Sequence, residues 1–201
     1  VHLYLVRHAT CDPVGRTLAG RTPCVGLNAA GRAQARALGA RLAGARLTAV
    51  YSSPLARALE TAHAVARPHG LSPRVEPGLA ELAFGAWTGR AIDGLRGEER
   101  WSHFNTYRSG TRAPGGELAL EAQARAVAAV LRLAGDDPHA RVAVVSHADV
   151  LKAVLGHLLG VPLDLQHRME LAPASVSEAE LHPWGARVLS VNAAIDAPVA
   201  C

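Results

Sequence analysis

The polar and apolar positions of this chain fall into two alternating rhythms. Short, mostly apolar runs, Leu3 to Val6, Leu47 to Tyr51 and Val142 to Val145, have the length and content of strands buried on both faces. Between them the apolar residues return at helical spacing, in NAAGRAQARALGARLAGA from Asn28, LARALETAHAVARPHG from Leu55, ELALEAQARAVAAVLRLAG from Glu117 and DVLKAVLGHLLG after Ala148. Asn28 predicts an N-cap and Gly44 a stop for the first helix. Ser53 predicts the N-cap of the second, with Pro54 at its first position and an end between Arg67 and Gly70, and Gly160 and Pro162 close the last. SPRVEPGLAEL reads as a short extended segment and a turn, and WGARVLSVNAAI as a final strand. The Gly- and Trp-containing stretch AFGAWTGRAIDGL carries no assignable period, and residues 96 to 116 read as a polar loop, so a capping excursion is expected over roughly 86 to 116. With no internal repeat or low-complexity linker, strand and helix alternate in one α/β domain, 1 to 201, whose mostly parallel central sheet is flanked by helices in three layers.

The three apolar strands end in chemistry: the first in Arg7-His8, the second in Ser52-Ser53 with Arg57 one helical turn on, the third in Ser146-His147. Carboxyl ends of neighbouring parallel strands lie along one sheet edge, where open α/β sheets meet their ligands. Two histidines and two arginines in one crevice form an anion pocket with a potential nucleophile. Arg57 falls in the first turn of its helix, and Ala148 and Asp149 open the next with free backbone N–H groups, both at the positive end of a helix dipole. The competing readings are a satisfied core histidine for His8 and a surface helix arginine for Arg57.

Composition narrows the function classes. Nearly half the residues (49%) are apolar, and none of their runs approaches the roughly 20 residues of a membrane span. The first residues, VHLYLVRHA, lack the features of a signal peptide, and a cytoplasmic, bacterial-type protein is expected. Cys11, Cys24 and Cys201 show neither C-x-x-C nor zinc-ligand spacing, which fits a reducing compartment. The net charge of +4 comes from scattered residues, Lys152 being the one lysine, so neither a nucleic acid nor a membrane is the expected partner. Arginine grips tetrahedral anions with parallel hydrogen bonds, so a small phosphate ester is the expected ligand; a homodimer stays open. A cysteine phosphatase needs C-x5-R, but Thr17 and Ala30 stand where Cys11 and Cys24 would require arginine. No phosphate-binding G-x-x-x-x-G-K is present, and His147-Ala148-Asp149 lacks a third metal ligand at fitting spacing.

Six motifs in order, LVRHAT, GRTPCVGLNAAGRAQA, YSSPLARALETA, GLAELAFGAWTG, APGGE and VSHADVLKAVL, resemble those of the histidine phosphatase superfamily, in its phosphoglycerate mutase-like branch, over about residues 3 to 160. The resemblance implies a phosphohistidine mechanism with no metal and no cofactor. His8 would attack phosphorus, Arg7, Arg57 and His147 would hold the phosphoryl oxygens, and Glu81 would protonate the leaving oxygen. Thr10, Arg21 and Ala148 are candidate substrate contacts, while a solvated loop carboxylate is the alternative for Glu81. The chain departs from the family pattern at Ala9, which stands in a glycine position, and near Val14, where a polar Asn contact is missing. The expected function is a metal-independent phosphomonoesterase acting on a small phosphorylated metabolite. The alternatives are a phosphoglycerate-type mutase and a noncatalytic phosphate-binding module. For the cleft's cap, Trp87, Trp101, His103, Tyr107, Arg108 and Arg112 suggest a wall with some positive charge.

Overall fold

The computed structural model describes residues 1–135 and 137–194. Cys201 and Ile195, the last residue of the expected final strand, lie outside them. Six strands form one sheet in the order β3-β2-β4-β1-β5-β6. The parallel part comprises β1 (His2–Arg7), β2 (Ala49–Ser52), β3 (Arg74–Val75) and β4 (Arg141–Ser146). β5 (Val176–His182) and β6 (Gly185–Ala193) extend it as an antiparallel hairpin beside β1.

The layers follow from the two-residue period of the central strands. From β1, Tyr4 and Val6 join Ala143 and Val145 of β4 in one core. It is closed by Leu38 and Leu42 of α1 (Ala29–Leu42) and Ala62 and Val65 of α2 (Ala56–Ala66). The alternate residues, Leu3, Leu5, Val142 and Val144, face the other way. They pack against Ala126 and Val130 of α5 (Ala119–Ala134) and Leu151 and Val154 of α6 (Ala148–Leu159). A strand buried on both faces must be apolar at every position, which is why the runs in the sequence are unbroken. Removing a side chain such as Leu5, 1% exposed, is expected to cost about 2–5 kcal/mol. Among the described residues no helix is long and apolar enough to cross a membrane.

The helix signals hold with one exception. Asn28 caps α1, accepting from the Gly31 N–H at 2.9 Å, and α6 ends on Gly160 with φ of 69°. Ser53, however, does not cap α2. That helix starts at Ala56 after an extended Leu55, and the Ser53 hydroxyl is taken up by His147 at 2.7 Å. The stretch left unassigned contains α3 (Ile92–Leu95), and the segment expected as a loop contains α4 (Glu99–Thr106), followed by turns and irregular backbone over 107 to 116. The aromatic residues of the two build a third core: Trp87, 2% exposed, meets Trp101 and Phe104 edge-on, both at 5.2 Å between ring centroids. β5 has no counterpart in the sequence reading. Its residues Val-Ser-Glu-Ala-Glu-Leu-His form no apolar run, because Ser177 and Glu178 are buried beside the smaller Ala179.

Candidate active site

Sheet register builds the site. Arg7 of β1 stands opposite Ser146 of β4, and Ser52 of β2 opposite Val145. The ladder continues one residue further on each side: the His8 N–H donates to the Ser146 carbonyl and the Ser53 N–H to the Val145 carbonyl, both at 2.9 Å. His8, Ser53 and His147 therefore leave three adjacent strands side by side. His8 and His147 are buried, with their rings 5.1 Å apart and edge-on.

The hydrogen bonds fix the protons. His8 Nδ1 lies 2.7 Å from the Ala9 carbonyl oxygen, which can only accept, so Nδ1 carries the hydrogen and Nε2 of the neutral ring keeps its lone pair. Burial foremost, with Arg57 and Arg7 adding to it, pushes the His8 pKa down to about 3 against the opposing pull of the Ala9 carbonyl. His147 is held well below its ordinary value by burial and then by His8, Arg57, Arg7 and Arg125. The Ser53 hydroxyl accepts from the Leu55 N–H at 3.4 Å and lies 2.7 Å from His147 Nε2; assigning it as the donor of that second bond places the hydrogen of the neutral His147 ring on Nδ1.

Two guanidiniums stand beside these rings. Arg7 Nη1 donates to the Leu171 carbonyl, and Arg57, 2% exposed, donates through Nη2 to the Gly20 carbonyl at 2.7 Å. Arg7 Nε, Arg57 Nη1 and His147 Nδ1 are buried without a hydrogen-bond partner in the protein. An unpaired buried donor costs about 1–3 kcal/mol, more when charged, and a tetrahedral anion supplies the acceptors that would recover it. Thr61 holds the neighbouring backbone. Its hydroxyl accepts from the Ala9 N–H at 3.0 Å and donates to the Arg57 carbonyl at 2.8 Å, tying the end of β1 to α2. Gly31 lets α1 approach the same loop, since a methyl group there would lie 1.9 Å from the Thr10 carbonyl oxygen.

Glu81 completes the cluster. Its Oε1 accepts from the Leu82 N–H at 2.9 Å and its Oε2 lies 3.9 Å from His147 Nδ1. Burial first, then the negative charge of Asp149, pushes its pKa up to about 7, while the Leu82 N–H, Arg57 and Arg7 pull the other way. Its backbone is clamped as well. The Glu81 carbonyl accepts from Arg21 Nε at 2.7 Å and Arg125 Nη2 at 3.2 Å, and both arginines are ion-paired to Glu117. Glu117 also accepts from the Ala83 N–H at 3.2 Å. Gly85, with φ of 54°, would place a methyl 2.0 Å from the Pro114 carbonyl, so the backbones of the Glu81 loop and the loop before Glu117 also pack directly against each other.

A cleft of about 160 Å³ opens on Arg7, His8, Arg57, Glu81, Ala148 and Asp149. His147 lies buried against His8, so the structure brings all five expected catalytic side chains together. Ala148 lines the cleft, but Thr10 and Arg21 do not. Thr10 is engaged through its backbone with Gln34 and Asn28, and Arg21 grips the Glu81 carbonyl and Glu117. The sequence places Ser53 and Asp149 at the sheet edge without a role in the site for their side chains, and gives no reason to bring Glu117 and Arg125 to it. Ser-Pro after a strand reads equally well as a helix start, and the Glu117 contacts join residues 34 and 96 positions apart. The carboxylate in APGGE was a visible signal, without anything local to say what it holds.

A buried neutral histidine flanked by guanidiniums at the carboxyl edge of a parallel sheet is a pocket suited to a phosphate ester. The family model for the histidine phosphatase superfamily (branch 1) matches residues 3–194, and the chain belongs to that family, a phosphoric monoester hydrolase by class. Among curated relatives it is similar to the probable phosphoglycerate mutases GpmB of Photorhabdus laumondii, 31% identical, and of Yersinia pestis, 33% identical, with 92% of this chain and 87% of each relative covered. Among solved structures it resembles YhfR of Bacillus stearothermophilus (TM-score 0.87, 30% identity, 96% of both chains). The α-ribazole phosphatase of Shigella flexneri is similarly related (TM-score 0.85, 26% identity, 96% of both chains).

Proposed function

We propose that the protein hydrolyses a small phosphate monoester through a phosphohistidine on His8, and that Arg7, Arg57, His147 and Glu81 serve that step. His8 Nε2 attacks phosphorus, the P–N bond forms as the bond to the ester oxygen breaks, and the proton of the Glu81 carboxyl passes to the departing alkoxide. Water then attacks phosphorus, returns a proton to Glu81 and releases inorganic phosphate as the P–N bond breaks. Arg7, Arg57 and His147 Nδ1–H hold the charge on the non-bridging oxygens, where phosphoryl transfer needs stabilisation. A carboxyl with a pKa of about 7 is available both as acid and, once ionised, as base.

One observation carries the proposal: the Nδ1–H of His8 is committed to the Ala9 carbonyl, which leaves Nε2 as an unprotonated nucleophile beside buried, unpaired N–H donors of Arg7, Arg57 and His147. The reading includes a reducing, cytoplasmic setting, which the free Cys11 and Cys24 suit. It is tested by phosphate release from an aryl phosphate in EDTA, with a rapid quench in alkaline denaturant, where a phosphohistidine survives, followed by acid treatment to show that the adduct is acid-labile. Turnover that survives EDTA, with the labile adduct formed by the parent and absent from His8→Ala, is the expected result. Turnover without an adduct on His8 overturns the mechanism. The mutase reading draws support from the names of the GpmB relatives, and interconversion of 2- and 3-phosphoglycerate outpacing phosphate release would establish it instead.

A further inference from the structure

Beyond the phosphoryl-holding residues the cleft changes character. Pro13, Val14, Leu18 and Ala19, from the loop that follows β1, face it together with Phe84 and Ile92. Among the lining residues only Arg7 and Arg57 are cations, and both stand at the phosphoryl end. Of the arginines in the surrounding segments, Arg21 is paired to Glu117, Arg90 to Glu98, Arg108 to Asp149 and Arg112 to Glu121, while Arg16 is exposed between the lining residues Gly15 and Thr17 and does not itself line the cleft. The positive wall expected from the sequence of the excursion is therefore not the wall that lines the cleft, and the two further acidic side chains on it are Glu81 and Asp149. Cys11, buried with its thiol pKa raised chiefly by that burial, adds a small apolar surface.

We infer that the alcohol part of the substrate is apolar, an aryl or alkyl group with no anionic substituent, and that phosphoglycerates are poor substrates. The inference rests on the phosphatase reading above and names its substrate class. A second carboxylate or phosphate would be desolvated against apolar side chains and would face Asp149, whose cation Arg108 is already paired to it and does not line the cleft. An aromatic ring of about the size that a cavity of this order accommodates would instead bury its surface on Val14, Leu18, Phe84 and Ile92.

The test compares kcat/KM for three esters of primary alcohols, so that leaving-group chemistry is matched: 2-phenylethyl phosphate, glycerol 3-phosphate and 3-phosphoglycerate. The aromatic ester is expected to exceed glycerol phosphate by roughly 10- to 50-fold, with 3-phosphoglycerate lower still. Val14→Asn is expected to shrink the first ratio severalfold, and Val14→Lys to shift preference toward 3-phosphoglycerate. Calorimetric binding of 3-phenylpropylphosphonate against 2-carboxyethylphosphonate reads the same wall without turnover. Turnover with 3-phosphoglycerate equal to or above the aromatic ester overturns this inference and leaves the phosphatase reading standing. No turnover of any ester, with the aromatic phosphonate bound preferentially, upholds the apolar site and removes the phosphatase reading. Absence of both turnover and that preference removes both.

Discussion

At the carboxyl end of the parallel strands, His8, with His147 buried against it, and two arginines stand at a cleft of about 160 Å³; at the amino end, His2, His139, His182 and Arg141 line a cavity of about 640 Å³. The larger space holds the same residue types in a different electrical state. His2 lies 3.1 Å from Glu178, His182 lies 3.2 Å from Glu180, and Arg141 donates to the Tyr4 hydroxyl and the Ala45 carbonyl. At the smaller cleft, three N–H donors on Arg7, Arg57 and His147 are buried and unpaired, and the nearby carboxyl has been pushed toward its neutral form. Volume does not locate the chemistry; a cluster of buried, unpaired nitrogens gathered around one histidine does.

The sharpest way to break this comparison is to remove one histidine from each end. His8→Ala is expected to lower kcat by about 10⁴-fold or more and to abolish the phosphoenzyme, whereas His182→Ala stays within a factor of two. A comparable loss in both would mean that the sheet edges do not differ as described. Glu81→Gln should cost about 10²–10⁴-fold with alkyl esters and far less with 4-nitrophenyl phosphate, whose leaving oxygen needs no proton. A loss independent of the leaving group would deny Glu81 the role of acid. The same substitution carries a stability sign. A carboxyl whose pKa is about 7 when folded and near 4.5 when unfolded weakens the fold as pH rises through that window. Glu81→Gln is therefore expected to be more stable than the parent by about 2–3 kcal/mol at pH 8 and by little at pH 4, read from denaturant midpoints. Arg57→Gln, which withdraws a charged donor from the phosphoryl oxygens, should cost about 10²–10³-fold in kcat.

Much of this contrast was legible in the chain, for a physical reason. The runs LYLV, LTAVY and VAVV declare buried parallel strands, and residues just beyond such strands must lie on one edge, so the sequence alone gathers Arg7, His8, Arg57 and His147. Glu81 came from its place in a family motif and not from any period, because the loop that holds it is shaped by contacts with Arg21, Glu117 and Arg125. Those contacts are distant in sequence and leave no local pattern. Ser53 shows the opposite failure: a strong local signal for a helix cap was overridden by a tertiary partner, His147. The hairpin strand β5 escaped notice because its buried positions are filled by Ser, Glu and Ala, and the composition of the 86 to 116 segment pointed to a charged cap whose arginines are all turned to other partners or whose aromatic rings form a core.

The smallest expected effect sharpens the comparison at a single charge. Asp149 opens α6 at the rim of the cleft, 3.0 Å from Arg108, which also donates to Asn105 and lies 5.0 Å from the Phe104 ring centroid. The groups acting on Glu81 are thus Asp149, which favours its neutral form, and Arg7, Arg57 and the Leu82 N–H, which favour the ionised one. Removing the negative charge with Asp149→Asn lowers the Glu81 pKa, so the alkaline limb of the kcat/KM profile should move down by roughly 0.5–1 pH unit, the size of a charge interaction at an effective dielectric near 20. Arg108→Gln removes the cation that offsets Asp149, so its limb should move up instead. Opposite displacements are something a merely structural role for this pair cannot produce, since general loosening would lower the plateau of both variants and leave the limbs where they are. Coincident limbs in the parent and both variants would show that Glu81 does not sense this pair.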